Sequence, residues 1–415
     1  MTITKTGLDE LLKVQYSPDS ITQLQNVTYP ILSVCAKEDT NFKIGGTHFA
    51  FAVRTESAEG HAYISESGAL PTARQTTVKQ AQVVPVVQAG VVQATGLSVA
   101  ISSQDAMAFA RAFDESTRSL LEAMMAYREG ALFRDGTGLL TTFNGDPGVG
   151  TGPSAVTDVN YLREGMYIDV NTAAADPAAF RTGASPLKIV AVDWANRKIT
   201  VDAAFPAACG DGDELYLRGT QTDAAAIVSQ EPIGLATSLA SSGTYLNINK
   251  ATVGVWSTDQ ITASGYLNED ILLRARTRIS QRTGAPMATV NRNFAVLAHQ
   301  VQCDVLFKLA IPRIRYSGNS GIDLGNVDNV QFGNIPFRTS YQAPSTVAYI
   351  GDWSNHRTFY APGGQLHIDT TYNGASMKWV AGYDQGLAFA KSYHAFACRK
   401  PNAFVAVGSL TDPSR

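Results

Sequence analysis

The sequence predicts an α+β fold in which one long helix supports flat, strand-rich chain. Three observations predict it: an apolar period near 3.6 held from Ser102 to Gly136, an uncharged valine-rich ribbon just before it, and a run of short strands after it.

In chain order, residues 1–45 read as an N-terminal arm. A short amphipathic helix around Leu8, Leu11 and Leu12 leads into irregular chain through Pro18 and Pro30. Residues 46–101 form an extended excursion: Phe49–Arg54 alternates as a strand does, Glu56–Arg74 is polar and turn-rich, and Val78–Val99 returns. No residue between Lys79 and Asp105 is charged, while Val83, Val84, Val86, Val87, Val91 and Val92 crowd together. Pro85, Gly90 and Gly96 make this extended chain and not a membrane span, which needs about 20 predominantly apolar residues. Two such strands have no local core to rest on, and a neutral β-forming ribbon aggregates unless covered. The expected cover is another copy of the chain, meeting those six valines.

The helix follows. Ser102 and Asp105 have capping-box spacing, and Gly136 supplies a left-handed C-terminal position. Phe109, Phe113, Leu120, Met124, Tyr127 and Ala131 form the apolar face, and Arg118 stands one turn from Glu122. Asn144–Pro153 is a Gly/Pro linker and the first expected boundary. Met166–Val170, Leu187–Val192, Lys198–Val201 and Glu214–Leu217 then read as short strands of a small inserted barrel, with Asn196 in a hairpin turn.

Beyond Thr220 the pattern is mixed. Asn268–Gly284 is a capped helix with Ile271, Leu272, Ala275 and Ile279 buried. A second helix is expected over Arg292–Phe307, a long Gly- and Asn-rich loop over Ile311–Gly333, and strands at Val347–Ile350, Gln365–Thr370, Met377–Cys398 and Phe404–Val407.

Composition bounds the function. A length of 415 residues fits two to three domains, and a charged share of only 17% is low for a free-standing monomer, so much surface is expected between subunits. A net charge of −3 argues against a dedicated nucleic-acid binder. Lys5, Asp9, Glu10 and Lys13 interrupt the N-terminus, so no secretory core is expected there. Cys35, Cys209, Cys303 and Cys398 stand singly and read as packed free thiols.

No chemistry-bearing constellation emerges. The run Gly145–Gly152 lacks the Lys-Ser/Thr ending of a phosphate loop, and the six histidines show no metal-ligand spacing. His394 reads as a packed strand residue. Arg274, Arg276, Arg278 and Arg282 read as a solvated or intersubunit ion-pairing face, and Trp256, Trp353 and Trp379 as core or interface anchors. No catalytic, cofactor-binding or metal residue is assigned.

The order of parts carries a resemblance. An arm, an excursion containing Glu66-Ser67-Gly68-Ala69-Leu70-Pro71, a return strand, and a long helix ending Ala131-Leu132-Phe133-Arg134-Asp135-Gly136 come first. An inserted β module, central helices and a closing run with Lys400-Pro401-Asn402-Ala403-Phe404 follow. Over residues 30–409 this layout resembles the major capsid protein of tailed bacteriophages, the Hong Kong 97-like fold.

The resemblance implies an N-terminal arm (1–45), an E-loop (46–101), and a spine helix with part of the peripheral domain (102–155). It further implies a β-rich insertion domain (156–220), and an axial domain with the rest of the peripheral domain (221–415), whose loop at Ile311–Gly325 faces a five- or six-fold axis. The implied function is non-enzymatic and needs no cofactor: self-assembly through pentamers and hexamers into an icosahedral shell around the phage DNA genome. The implied location is the virion, assembled in the host cytoplasm. Implied partners are further copies of the chain and double-stranded DNA contacted non-specifically, with no membrane; a separate scaffold protein or none is implied, and portal and decoration proteins are candidate partners beside it. Some family members join an E-loop lysine covalently to a neighbour; Lys79 is the sole lysine of this loop, the one donor available there, and is expected to be simply solvated. Two alternatives stand beside this: an encapsulin-like nanocompartment shell and, from another class, a β-rich hydrolase.

Overall fold

The computed structural model describes residues 31–32, 35–38, 48–66, 68–95, 106–172, 181, 186–220, 230–284, 294–310, 331–332, 335–361, 363–368, 378–380 and 382–412. The expected arm helix, the cap at Ser102 and Asp105, and the loop at 311–325 lie outside the described residues.

Four strands lead to the long helix: β1 (Ala36–Glu38), β2 (Phe49–Glu56), β3 (Thr77–Val83) and β4 (Val86–Thr95). The helix, α1 (Ala106–Phe133), has 28 residues and so spans about 42 Å at 1.5 Å per residue. Arg118 and Glu122 pair along it at 3.0 Å, and Gly136 beyond its end adopts φ +93. Six short strands follow: β5 (Leu139–Thr142), β6 (Ser154–Ala155), β7 (Tyr167–Asn171), β8 (Leu187–Asp193), β9 (Lys198–Val201) and β10 (Glu214–Leu217).

Next come α2 (Leu235–Ser238), the small hairpin β11 (Thr244–Tyr245) and β12 (Ile248–Asn249), β13 (Asp259–Thr262), and α3 (Glu269–Thr283). Then follow β14 (Phe294–Ala298), α4 (Gln300–Ala310), β15 (Gln331–Phe332), β16 (Ile335–Thr339) and β17 (Ala348–Asp352). The chain closes with β18 (His356–Tyr360), β19 (His367–Ile368), β20 (Lys378–Trp379), β21 (Gln385–Cys398) and β22 (Phe404–Gly408).

Three six-stranded sheets organise these elements. In the first, β21 is central, with β4 on one side and β18, β19 and β20 on the other, and β1 outside β18. The second runs β5-β10-β7-β8-β9-β6. Its end strands are joined through Asn144 N–H to Ala155 O (3.0 Å) and Thr157 N–H to Thr142 O (2.9 Å), which closes the sheet on itself around Leu162, Ile168, Val170 and Ile199. It therefore takes in strands on both sides of the Gly/Pro segment 144–153. The third sheet, β13-β22-β17-β14-β16-β15, packs against α3, whose Asn268 cap accepts from Ile271 N–H at 2.9 Å and whose Gly284 is left-handed at φ +68.

The excursion 46–101 differs from the expected two-stranded ribbon. β2 pairs with β3 from Phe49↔Val83 to Glu56↔Thr77, but β4 leaves the hairpin and forms a ten-residue antiparallel ladder with β21, Val86↔His394 to Thr95↔Gln385. Pro85 sits at the division: it has no N–H to donate, so the ladder stops and the chain changes sheet. The ribbon does have a local core, for Phe49, Ala81 and Val83 pack in one cluster with Trp256, Phe359 and Phe396.

Two further expectations are corrected. Arg292–Phe307 is not one helix: Phe294–Ala298 is strand β14, all five residues buried between β16 and β17, and the helix begins at Gln300. A fully buried strand is a continuous apolar run, which periodicity does not separate from a helix. Met377–Cys398 is likewise two strands, since β20 turns back at Val380–Tyr383 to pair with the start of β21. All four cysteines are free and buried.

Candidate intersubunit surface

The β2–β3 hairpin is anchored at one end only. At its root Phe49, Ala81 and Val83 are core residues; at its far end Thr77 Oγ1 donates to Glu56 Oε2 at 2.7 Å. Past that point the chain runs through 57–76, where Tyr63 is fully exposed, Leu70 is 85% exposed and Ile64 is exposed too. A turn with Gly68 N–H on Ser65 O (2.9 Å) shapes this tip. Apolar side chains displayed this way are characteristic of contact surfaces.

The six valines expected to meet a neighbour divide among three environments. Val83 is 1% exposed in the protomer's own core. Val86 and Val92 are half-buried on the face of β4 that also carries Gly90. A Cβ at Gly90 would come within 2.9 Å of Leu120 Cδ1 and Met124 Sδ, so this face of the strand packs closely on α1 and a larger residue there would push those two side chains aside. Val84, Val87 and Val91 are exposed at 64%, 59% and 51%. Val87 and Val91 pair across the ladder with Tyr393 and Phe389, which widens the apolar strip. Lys79 is exposed on β3. Trp256 and Trp353 are core residues, whereas Trp379 is exposed.

A cleft of about 360 Å³ opens between β4, α1 and the end of the closed sheet, lined by Val86, Leu120, Met124 and Leu217 among others. Behind it the last two turns of α1 carry Arg128 and Glu129, and Arg134 follows the helix directly; all three are buried and unite distant chain. Arg128 donates to Gln88 Oε1 (2.9 Å) and Tyr360 OH (3.3 Å). Arg134 forms a buried ion pair with Glu231, with Nε to Oε2 at 3.1 Å, and its guanidinium stands 4.7 and 4.9 Å from the rings of Tyr127 and Tyr161.

Glu129 accepts from Ile31 N–H (3.0 Å) and Ser340 Oγ (2.7 Å), tying the N-terminal segment to α1. Sequence reasoning missed all three; the available signal was charge inside the otherwise apolar end of the helix.

Burial pushes the Glu129 carboxyl up from 4.5 to about 7, against the opposing hydrogen bonds from Ser340, Ile31 and Leu32. A raised carboxyl binds its proton more tightly in the folded state, so this group's contribution to stability is largest below pH 4.5 and is lost as pH rises through about 7. The loss is on the order of 3 kcal/mol. Urea unfolding of Glu129→Gln from pH 5 to 8 is expected to show this slope flattened, and an unchanged slope would refute the assignment.

The expected basic face on α3 is largely engaged within its own chain. Arg274 pairs with Asp270 (3.5 Å) and Arg278 with Asp259 (3.4 Å), while Arg282 donates to Gly254 O and Ser257 O. His394 packs in β21 against Phe396, and burial, with the Arg128 charge adding, holds it well below the usual imidazole range. Among the described residues no three His, Cys, Asp or Glu side chains converge as a metal site would require, and no helix is long and apolar enough to cross a membrane.

The sequence matches no protein-family model and no curated protein. Solved structures are similar in fold. The cyanophage A-1(L) capsid asymmetric unit superposes with a TM-score of 0.60 at 13% identity, covering 99% of this chain and 100% of that one. The capsid of the empty GTA particle superposes at 0.52 with 10% identity, covering 98% of each chain. The native GTA particle gives 0.50 at the same identity and coverage. The chain thus has the fold of a phage capsid protein from end to end.

Proposed function

Taking that capsid-protein fold as the premise, we propose that the chain is a major capsid protein. Copies assemble through pentamers and hexamers into an icosahedral shell enclosing a phage DNA genome. The carrying observation is the hairpin whose tip, with Tyr63, Ile64 and Leu70 exposed, projects beyond the core that holds its root. In this reading the hairpin is an E-loop lying on a neighbour, and Val84, Val87 and Val91 lie in the same contact. Heterologous contacts of this kind close rings and then a shell, and many modest contacts together hold it. The role is structural, without catalysis or cofactor. Its principal partners are further copies of itself, with portal, decoration and a separate scaffold protein, or no scaffold, as candidates beside them, and the virion is its place.

The test is negative-stain microscopy of the expressed protein. Closed polyhedral shells or capsomer rings are expected. A monodisperse monomer at micromolar concentration would overturn the reading, and particles filled with protein instead of DNA would turn it into a cargo compartment.

A further inference from the structure

A second cleft, of about 290 Å³, lies between the root of the hairpin and the turn after β21. Three segments distant in sequence build it: Phe51–Arg54, Val255–Trp256 and Arg399–Asn402. Phe51, Val53, Trp256 and Pro401 supply apolar lining, while Arg54, Arg399 and Lys400 are exposed cations, and no carboxylate is in the lining. Arg399 is held over the Phe51 ring at 5.8 Å. Lys79 pairs with Val53 across the β2–β3 ladder, so its side chain leaves the hairpin on the same face as Val53. Three cations thus line one concavity, in a chain whose net charge is −3.

We propose that this cleft binds the phosphodiester backbone of nucleic acid without sequence preference. Among the described residues neither Arg54 nor Lys400 has an ion-pair partner. Exposed cations on long side chains hold a regularly spaced phosphate chain in any register, and contacts of that sort position a duplex without reading it. Arginine held over an aromatic ring also presents a planar donor set suited to phosphate oxygens. A carboxylate-bearing peptide is the less favoured occupant, because the open rim offers no partnered donor network that would select one conformation. The inference rests on the shell reading, which brings the subunit against an enclosed genome, and it names where the subunit meets that genome.

The test is fluorescence anisotropy of a labelled duplex of about 20 base pairs with the full chain, from about 50 to 200 mM salt. Three phosphate contacts give a slope of log K against log salt near −2.7, or about 40-fold weaker binding across that range. Combining Arg54→Gln, Arg399→Gln and Lys400→Gln is expected to remove most of that slope, while Arg54→Gln alone lowers it by about one. The single change on the exposed hairpin keeps the test valid if the triple variant misfolds.

An unchanged slope in both variants overturns the inference. So does loss of shells with DNA binding intact, which would make the cleft a protein contact. Shell formation by the wild type is scored separately by microscopy, so failure of the shell reading is distinguishable from failure of DNA binding.

Discussion

Replacing residues 58–74 with a two-residue Asn-Gly turn is expected to leave a folded, soluble chain that forms no shells. The excised residues lie beyond the last ladder pair, Glu56↔Thr77, and among those described none is buried. Removing them therefore costs the protomer little, within about 0.5 kcal/mol for exposed positions of this kind. The loss falls on assembly. Burial of side chains such as Ile64 and Leu70 on a neighbour is worth about 1.5–3 kcal/mol each, repeated at every subunit.

Light scattering and negative-stain microscopy check this, and normal shells from the shortened chain would refute it. A longer deletion, 76–94, behaves differently. It takes away Ala81 and Val83 from the central core and nine of the ten pairs joining β4 to β21, so unfolding is the expected outcome.

The second large effect is at the Arg134–Glu231 pair. Glu231→Ala leaves the Arg134 guanidinium buried beside Tyr127 and Tyr161 with no counter-charge. Truncating one member of a buried pair costs about 3–5 kcal/mol, mainly from the charge left behind. Glu231→Gln, which keeps a hydrogen-bond acceptor, is expected to cost less. Urea midpoints of the two variants check the order. Equal midpoints for wild type and Glu231→Ala would show that the pair contributes nothing at that site. Because Glu231 follows the closed sheet and Arg134 precedes it, the pair also joins the two chain ends that enter and leave that module.

These two sites illustrate what could be read in advance. The hairpin tip was legible as polar, turn-rich chain, but its display of Tyr63 and Leu70 was not, because exposure depends on what packs nearby. The valines showed a demand for cover without showing its source. Val83 is covered by Phe49 and its cluster, and Val86 and Val92 lie on the face that meets α1. The basic cleft was invisible in a chain of net negative charge, since its cations come from strands and turns some 345 residues apart, Arg54 to Arg399.

By itself, then, the amino-acid sequence determined the parts whose signals are local. These are the long helix with its Arg118–Glu122 pair, the Asn268-capped helix with its buried stripe, and the four strands of the inserted module. Period, caps and turn residues act over a few positions, so they survive without tertiary context. Only the tertiary structure decided which sheet Val86–Thr95 joins, which valines face outward, and how Arg128, Glu129 and Arg134 bind Gln88, Ile31 and Glu231. Those outcomes depend on burial and on partners tens to hundreds of residues away, and hydrophobic burial, being non-directional, does not specify its partner in advance.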